Sequence, residues 1–149
     1  MRGEEAARVD ERFSRTEMLL GAEKMARLKA ARVAIFGIGG VGSFAAEGLA
    51  RAGIGFFRLV DGDAIDVTNI NRQIHALTGT VGQNKAEAMK ERIFAIHPEA
   101  EVEAVAAFYR PEAAGQFLDG DLDYVVDAVD MVTAKISLIE ECQRRDLPL

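Results

Sequence analysis

The sequence is poor in cysteine and proline, and each shortage excludes a class of structure. Its 149 residues include a single cysteine, Cys142, which excludes an internal disulfide and any zinc site made of several thiolates of this chain. Only three prolines interrupt the chain, and the absence of repeats and low-complexity tracts excludes a repeat architecture. The expected structure is therefore globular, with a core large enough for one domain.

Long hydrophobic runs are also lacking. The longest apolar stretches are broken by glycine or by a charged residue well before the roughly 20 residues that a membrane-spanning helix needs. The first residues, MRGEEAARVDERF, are charged and lack the apolar centre of a signal peptide. The sequence accordingly predicts no membrane span and a cytoplasmic location.

The charge is negative overall and unevenly distributed. The net charge is −6. Residues 1–32 hold eight Lys/Arg against six Asp/Glu, whereas the remainder holds ten against eighteen. The chain has no general basic character of the kind that indicates nucleic-acid binding. A nucleic-acid substrate would have to contact a local patch or a partner subunit.

What is present is an alternation of apolar strands and amphipathic helices. Such alternation predicts right-handed crossovers and a doubly wound, Rossmann-like α/β fold with a mostly parallel sheet. Residues 1–31 are predicted to form a helical arm with a helix over 17–29, and residues 32–149 the α/β domain. The predicted strands are 32–37, 56–61, 101–107 and 124–130, and the predicted helices are 40–52, 83–96 and 132–145.

The last residues, Leu147 to Leu149, read as the beginning of a further strand. A doubly wound sheet usually continues, so the domain is expected to be incomplete in this sequence. The exposed edge and apolar face of such a sheet would be covered by a second chain, which predicts a dimer or larger assembly.

A glycine-rich turn follows the first predicted strand. The stretch GIGGVG places Gly37, Gly39, Gly40 and Gly42 between a strand and a helix, where glycine lets a phosphate approach the backbone at the positive helix end. Asp61 lies 19 residues further on, at the end of the second strand, where a carboxylate can bind a ribose. This pattern predicts a nucleotide site and leaves NAD and ATP as alternatives.

The stretch DVTNINRQ favours ATP. Asp63, Asn69, Arg72 and Gln73 follow Asp61 within a few residues. A dinucleotide needs no such cluster, because backbone N–H groups and a helix dipole bind its pyrophosphate. A triphosphate carries more charge, and an arginine can bind its oxygen atoms bidentately.

Two further elements fit a triphosphate. Lys85 opens a predicted helix, where a cation is unfavourably placed unless a phosphate lies beside it. Asp127 and Asp130 end the fourth strand near the glycine turn, and carboxylates at that edge can hold Mg²⁺. Together these residues predict an ATP·Mg²⁺ site.

This order of motifs resembles the ATP-dependent adenylating family of ThiF, MoeB, HesA and the ubiquitin-activating enzymes, over almost the whole chain. The resemblance implies that Asp61 holds the ribose, that Asn69, Arg72 and Lys85 bind the phosphates, and that Asp130 holds Mg²⁺. Arg15, in RFSR, aligns with an arginine that family members lend to the ATP of the partner subunit in a homodimer. Adenylation of a carboxylate needs positioning of the reactants and neutralisation of their charge. It does not need a Ser-His-Asp or Cys-His arrangement, and none is visible in the sequence.

Within the family, the stretches RFSRTEMLLG, NINRQIHAL and VGQNKAEAMKERI look most similar to the tRNA threonylcarbamoyladenosine dehydratases. That resemblance implies adenylation and cyclisation of a modified adenosine beside the anticodon, with tRNA as substrate. One alternative is adenylation of the C-terminal glycine of a sulfur-carrier protein. An NAD-dependent oxidoreductase and a non-enzymatic nucleotide-binding module are the other two.

Four remaining residues are predicted to have no role in binding or catalysis. Cys142 lies at apolar spacing on the last helix and is predicted to pack in the core. His75 is predicted to follow the phosphate-binding stretch without a role of its own. Phe108 and Tyr109 are predicted to pack at the end of a strand.

Overall fold

The structure, a computed structural model, describes residues 10–149; the first nine residues of the predicted arm lie outside this range. Its centre is a four-stranded sheet in the order β3-β2-β1-β4, with every neighbouring pair parallel. The strands are β1 (Arg32–Phe36), β2 (Phe56–Val60), β3 (Glu101–Val105) and β4 (Tyr124–Asp127). The predicted fold class is confirmed, although each strand ends one to three residues earlier than predicted.

Within residues 10–149, six α-helices surround the sheet or precede it. None of the helices in residues 10–149 is long and apolar enough to cross a membrane. The helices are α1 (Ser14–Leu20), α2 (Ala22–Ala30), α3 (Gly42–Ala52), α4 (Lys85–Ile96), α5 (Ala114–Phe117) and α6 (Val132–Arg144).

Neighbouring residues of β1 point into two separate cores. Ile35 is fully buried in a cluster that includes Ala46 of α3 and Met89 of α4. Ala34 is fully buried in a second cluster, which includes Phe117 of α5 and Leu138 of α6. Because successive side chains of a strand alternate between the two faces, this pattern places helices on both faces of the sheet.

The predicted helix over 17–29 is wrong as a single element. Gly21 separates α1 from α2 with φ of 84° and ψ of 158°, a backbone conformation open to glycine and unfavourable for other residues. Met18 is 80% exposed on the first of the two helices.

The apolar stripe of α6 does not face the core. Val132, Ile136 and Ile139 align along one side of the helix at helical spacing, but that side is exposed. Leu138 and Cys142 are buried instead. The backbone N–H of Val125 in β4 donates to the carbonyl of Pro148 at 2.8 Å, so the last residues run beside the outer edge of β4 without forming a strand.

A buried arginine joins the sheet to the segment after α5. The side chain of Arg58 in β2 is 10% exposed, and its Nε donates to Glu103 Oε2 at 2.7 Å. Its Nη1 donates to the carbonyl oxygen atoms of Phe117 and Asp119 at 3.1 and 2.8 Å, and lies 3.0 Å from Asp119 Oδ1. The guanidinium thereby satisfies backbone acceptors that have no strand or helix partner there.

Candidate functional site

A cavity of about 680 Å³ opens at the carboxyl end of the sheet, and the segments after all four strands contribute to it. Chain order reverses between β1 and β4, which is where ligands bind in open α/β sheets. Most of the predicted site residues line this one cavity: Gly37, Gly39, Gly40, Asp61, Asp63, Asn69, Arg72, Gln73, Lys85 and Asp130.

The glycines of the turn serve two different purposes. Gly37 has φ of 85°, and a Cβ there would overlap the carbonyl of Ala128 after β4. A Cβ on Gly42 would overlap the carbonyl of Gly37. Gly39 and Gly40 have no backbone atom that close, and they leave the turn open to the cavity. Two glycines thus permit the turn, and two permit a ligand to approach it.

Two glycines on the same helix give a matched test of this geometry. We expect Gly42→Ala to lower the free energy of unfolding by about 1–3 kcal/mol because its Cβ meets backbone that cannot move away cheaply. Gly48→Ala, in the middle of α3 with nothing within 4 Å of the new Cβ, should raise it by about 0.5–1 kcal/mol. Urea unfolding followed by far-ultraviolet circular dichroism measures both. Equal changes in the free energy of unfolding for the two variants would contradict the close approach of Gly42 to the carbonyl of Gly37.

Asp61 ties the glycine turn to the end of β2. Its Oδ2 accepts the backbone N–H of Ile38 at 2.7 Å, and its Oδ1 accepts that of Asp63 at 2.8 Å. The residue is 9% exposed and lines the cavity. Each carboxylate oxygen has a second lone pair, so Asp61 can still accept hydrogen bonds from ribose hydroxyl groups.

The segment after β2 presents Arg72 to the cavity. Asn69 Oδ1 accepts the backbone N–H of Asp66 at 2.9 Å, which fixes the start of the turn. Arg72 Nη1 donates to the carbonyl of Thr68 at 3.1 Å and to Asn71 Oδ1 at 3.0 Å. Both acceptors of Arg72 are neutral oxygens, so these bonds orient the guanidinium without neutralising its charge.

Gln73 and His75 lie deeper in the same segment. Gln73 is 6% exposed, and within residues 10–149 its Oε1 has no hydrogen-bond partner. His75 Nε2 lies 2.7 Å from the carbonyl of Ile38. Burial lowers the pKa of His75, since the imidazolium is poorly solvated there; the neutral ring donates to Ile38 and supports the glycine turn from behind.

Lys85 begins α4 beside Asp63. It is 8% exposed, and its Nζ lies 3.5 Å from Asp63 Oδ2. Asn84, which our sequence reasoning missed, caps this helix through Oδ1 to the N–H groups of Ala86 and Glu87. An Asn directly before a predicted helix is the usual signal for such a cap.

The Asn84 side chain also joins the two ends of the long segment between β2 and α4 by hydrogen bonds. Its Nδ2 donates to the carbonyls of Asp61 and Asp63 at 3.0 and 3.1 Å. Ile65 donates to Gln83 and Gly82 donates to Ile65, each backbone bond being 2.8 Å long. The start and end of the segment are therefore joined directly below the cavity.

The two aspartates after β4 are not equivalent. Asp127 Oδ2 lies 2.7 Å from Lys135 Nζ, and its Oδ1 accepts the N–H of Val129 at 3.1 Å. The expectation that both aspartates could hold a metal is therefore revised, because Asp127 supports the local backbone. Asp130 is exposed and lines the cavity.

Two predicted site residues lie away from the cavity wall. Gly42 supports the glycine turn from within α3. Arg15 is exposed on α1 and is not among the residues that line the cavity. Residues 10–149 contain no cluster of three or more His, Cys, Asp or Glu that could hold a metal ion; Asp130 could bind one only together with ligand oxygens.

Cys142 and Tyr109 are buried, as predicted, and Phe108 is not. Cys142 is 2% exposed, and burial raises its pKa, so it is a core residue rather than a nucleophile. Tyr109 packs edge-on against Phe36 and Phe117. Phe108 is 61% exposed and lines the cavity, so its predicted packing role is wrong.

Comparison with known proteins agrees with this geometry. Residues 13–149 match the ThiF family. The chain is 55% identical to the tRNA threonylcarbamoyladenosine dehydratase of Bacillus subtilis over 92% of its length, and 47% identical to that of Escherichia coli over 93%. It covers 54% and 52% of those two proteins, so it spans about half their length.

A solved structure shows the same relationship. The crystal structure of E. coli tRNA N6-threonylcarbamoyladenosine dehydratase in complex with ATP superposes with a TM-score of 0.91, covering 93% of this chain and 57% of that one.

The molybdopterin-synthase adenylyltransferase of Salmonella typhimurium is 34% identical over 93% of this chain and 56% of that protein.

Proposed function

Because this chain belongs to the ThiF family, we propose that its cavity binds ATP·Mg²⁺ and that it activates a carboxylate as an acyl-adenylate. Pyrophosphate is the leaving group. The observation that carries the proposal is the convergence of an open glycine turn, two cations and an acidic side chain on one cavity. A nicotinamide dinucleotide has no triphosphate to match the Arg72 and Lys85 charges.

The chain's residues have distinct parts in this reaction. Asp61 accepts hydrogen bonds from the ribose, and the turn at Gly39 and Gly40 lies against the phosphates. Arg72 and Lys85 neutralise the charge that develops when the carboxylate attacks the α-phosphorus. Mg²⁺ is usually held by one or two carboxylates together with phosphate oxygens, which fits Asp130 as its protein ligand.

The proposed substrate is a tRNA that carries threonylcarbamoyladenosine, whose carboxylate is activated and then cyclises. The 55% identity to a dehydratase named for that tRNA supports this choice. The second candidate is the C-terminal glycine of a sulfur-carrier protein, supported by the 34% identical molybdopterin-synthase adenylyltransferase. ATP–pyrophosphate exchange assayed with modified tRNA and with carrier proteins separates the two.

We further propose that the chain acts as a cytoplasmic homodimer. The exposed apolar stripe of α6, formed by Val132, Ile136 and Ile139, supports association with a second chain, since exposed apolar patches of this kind mark interfaces. Arg15, exposed on α1, would act on the ATP of the partner. The α/β domain of residues 32–149 carries the remaining proposed site residues.

The nucleotide preference is the most direct test. We expect isothermal titration calorimetry to show ATP binding in the presence of Mg²⁺ and no binding of NAD, because the two cations match a triphosphate. Repeating the titration without Mg²⁺ should weaken ATP binding. Tighter binding of NAD than of ATP would overturn the proposed function and restore the oxidoreductase alternative.

A further inference from the structure

The carbonyl of Ile38, between Gly37 and Gly39 of the glycine turn, is held by a buried histidine. Ile38 is fully buried, and its carbonyl oxygen lies 2.7 Å from His75 Nε2. Because a carbonyl oxygen can only accept a hydrogen bond, the proton of the neutral ring is on Nε2. His75 is 2% exposed and is not among the residues that line the cavity. The Ile38 carbonyl therefore points away from the cavity.

The orientation of this carbonyl determines the direction of the next backbone N–H. A peptide unit is planar and trans, so the carbonyl of one residue and the N–H of the following residue point in opposite directions. With the Ile38 carbonyl turned toward His75, the Gly39 N–H points toward the cavity that Gly39 lines. No backbone carbonyl of residues 10–149 accepts that N–H, so it is available to an oxygen of the ligand.

The His75 ring is fixed in turn by hydrogen bonds of its own segment. The His75 carbonyl accepts the hydroxyl group of Thr80 at 2.8 Å, and the N–H of Ile74 donates to Ser43 Oγ at 3.4 Å. Ser43 lies in the first turn of α3, and its N–H donates to the carbonyl of Gly39 at 3.1 Å. These bonds hold the imidazole in a constant position relative to the glycine turn.

We propose, on the basis of the proposed ATP binding, that His75 is a positioning residue that directs the Gly39 N–H at the phosphates. Backbone N–H groups before a helix bind phosphate oxygens, and an N–H that is already oriented needs no reorganisation when the phosphate arrives. His75 lies outside the cavity lining and touches neither the nucleotide nor the reacting carboxylate. It acts through the peptide unit that joins Ile38 to Gly39.

Glutamine and methionine at position 75 form a matched pair, because the two side chains have the same length and only glutamine has an N–H donor. His75→Gln should keep the bond to Ile38 and bind ATP·Mg²⁺ as the unaltered chain does. His75→Met should bind both ATP and tripolyphosphate roughly tenfold or more weakly, because it loses an oriented hydrogen bond to a charged group. Isothermal titration calorimetry gives the affinities. His97→Met, at the other buried histidine and outside the cavity lining, is the control and should bind ATP unchanged.

Nuclear magnetic resonance observes the Gly39 N–H itself. When tripolyphosphate is added, the Gly39 amide proton of the unaltered chain and of His75→Gln should shift downfield, because the N–H forms a hydrogen bond to a phosphate oxygen. His75→Met should lose this shift. The measurement decides the proposal even where the methionine variant does not fold. A Gly39 resonance that stays unmoved in the unaltered chain while tripolyphosphate binds overturns the positioning role.

The possible outcomes separate the positioning role from the proposed function. If the unaltered chain binds ATP and folded His75→Met binds it equally well, His75 only stabilises the fold; the positioning role fails and the proposed function stands. If the glutamine and methionine variants lose affinity equally, the bond to Ile38 does not determine binding, and the positioning role fails. If the unaltered chain binds neither ATP nor tripolyphosphate, both proposals fail.

Discussion

Alanine in place of Arg72 is expected to lower the rate of carboxylate adenylation by about a hundredfold or more, or ~3 kcal/mol of transition-state stabilisation. Arg72 lines the cavity, and its hydrogen bonds to Thr68 and Asn71 engage only neutral oxygens. Its charge is therefore available to the phosphates. Lys85→Ala should lower the rate by a similar factor, since Lys85 is buried beside the cavity and its Nζ lies 3.5 Å from Asp63 Oδ2.

ATP–pyrophosphate exchange measures this loss, with kcat and KM for ATP determined separately. Arg144→Ala is the control, because Arg144 is an exposed α6 residue that pairs with Glu141 and does not line the cavity. Arg72→Lys should recover only part of the rate, since an ammonium group lacks the bidentate geometry of guanidinium. An Arg72→Ala variant with undiminished kcat and KM would remove Arg72 from the proposed mechanism.

Alanine in place of Arg58 is expected to lower the free energy of unfolding by about 3 kcal/mol. The buried guanidinium binds the carbonyls of Phe117 and Asp119 as well as the Glu103 carboxylate. Removing one partner from a buried, charged network leaves the others unsatisfied, which costs far more than losing a surface pair. Urea unfolding gives the value.

The same unfolding experiment on Arg144→Ala supplies the comparison. That guanidinium is 65% exposed and pairs with Glu141 at 2.9 Å, and exposed pairs contribute only about 0–1 kcal/mol. The Arg58 variant should therefore be clearly less stable than the Arg144 variant. Similar midpoints for the two would mean that water replaces Arg58 readily and that the segment after α5 is held by apolar contacts.

The sheet could be predicted from sequence because its signals are local. The strands are short and mostly apolar, although β3 also carries Glu101 and Glu103, and alternation with helices determines a parallel order. The break at Gly21 was missed because apolar spacing continues across it, whereas the backbone conformation that glycine permits is not visible in the spacing. The exposed position of the apolar stripe on α6 could not be predicted for a different reason. Helical spacing shows which residues share a side, and only the packed structure shows which side is covered.

The candidate site was predictable to the extent that parallel strands bring their carboxyl ends to one edge. Motifs far apart in sequence therefore line one cavity. Position at the end of the fourth strand could not by itself distinguish Asp127 from Asp130, because their difference depends on whether Lys135 reaches the carboxylate. Nor could the sequence show that Phe108 is exposed while Tyr109 is buried, since both residues follow the end of β3, where strand alternation no longer applies. The catalytic roles of these residues stay predictions.

The hydrogen bonds that join the two ends of the β2–α4 segment determine which sequence changes this segment can tolerate. Asp61 and Lys85 belong to a frame joined by Asn84 and by the bonds of Ile65, whereas Arg72 lies on the loop above it. Doubling the length of a loop whose ends are already held costs only about 0.6 kcal/mol. Exchanges at exposed positions of this loop, such as Ile70, Asn71 and Gly79, can therefore alter what reaches the phosphates, whereas the buried His75 must keep its bond to the carbonyl of Ile38.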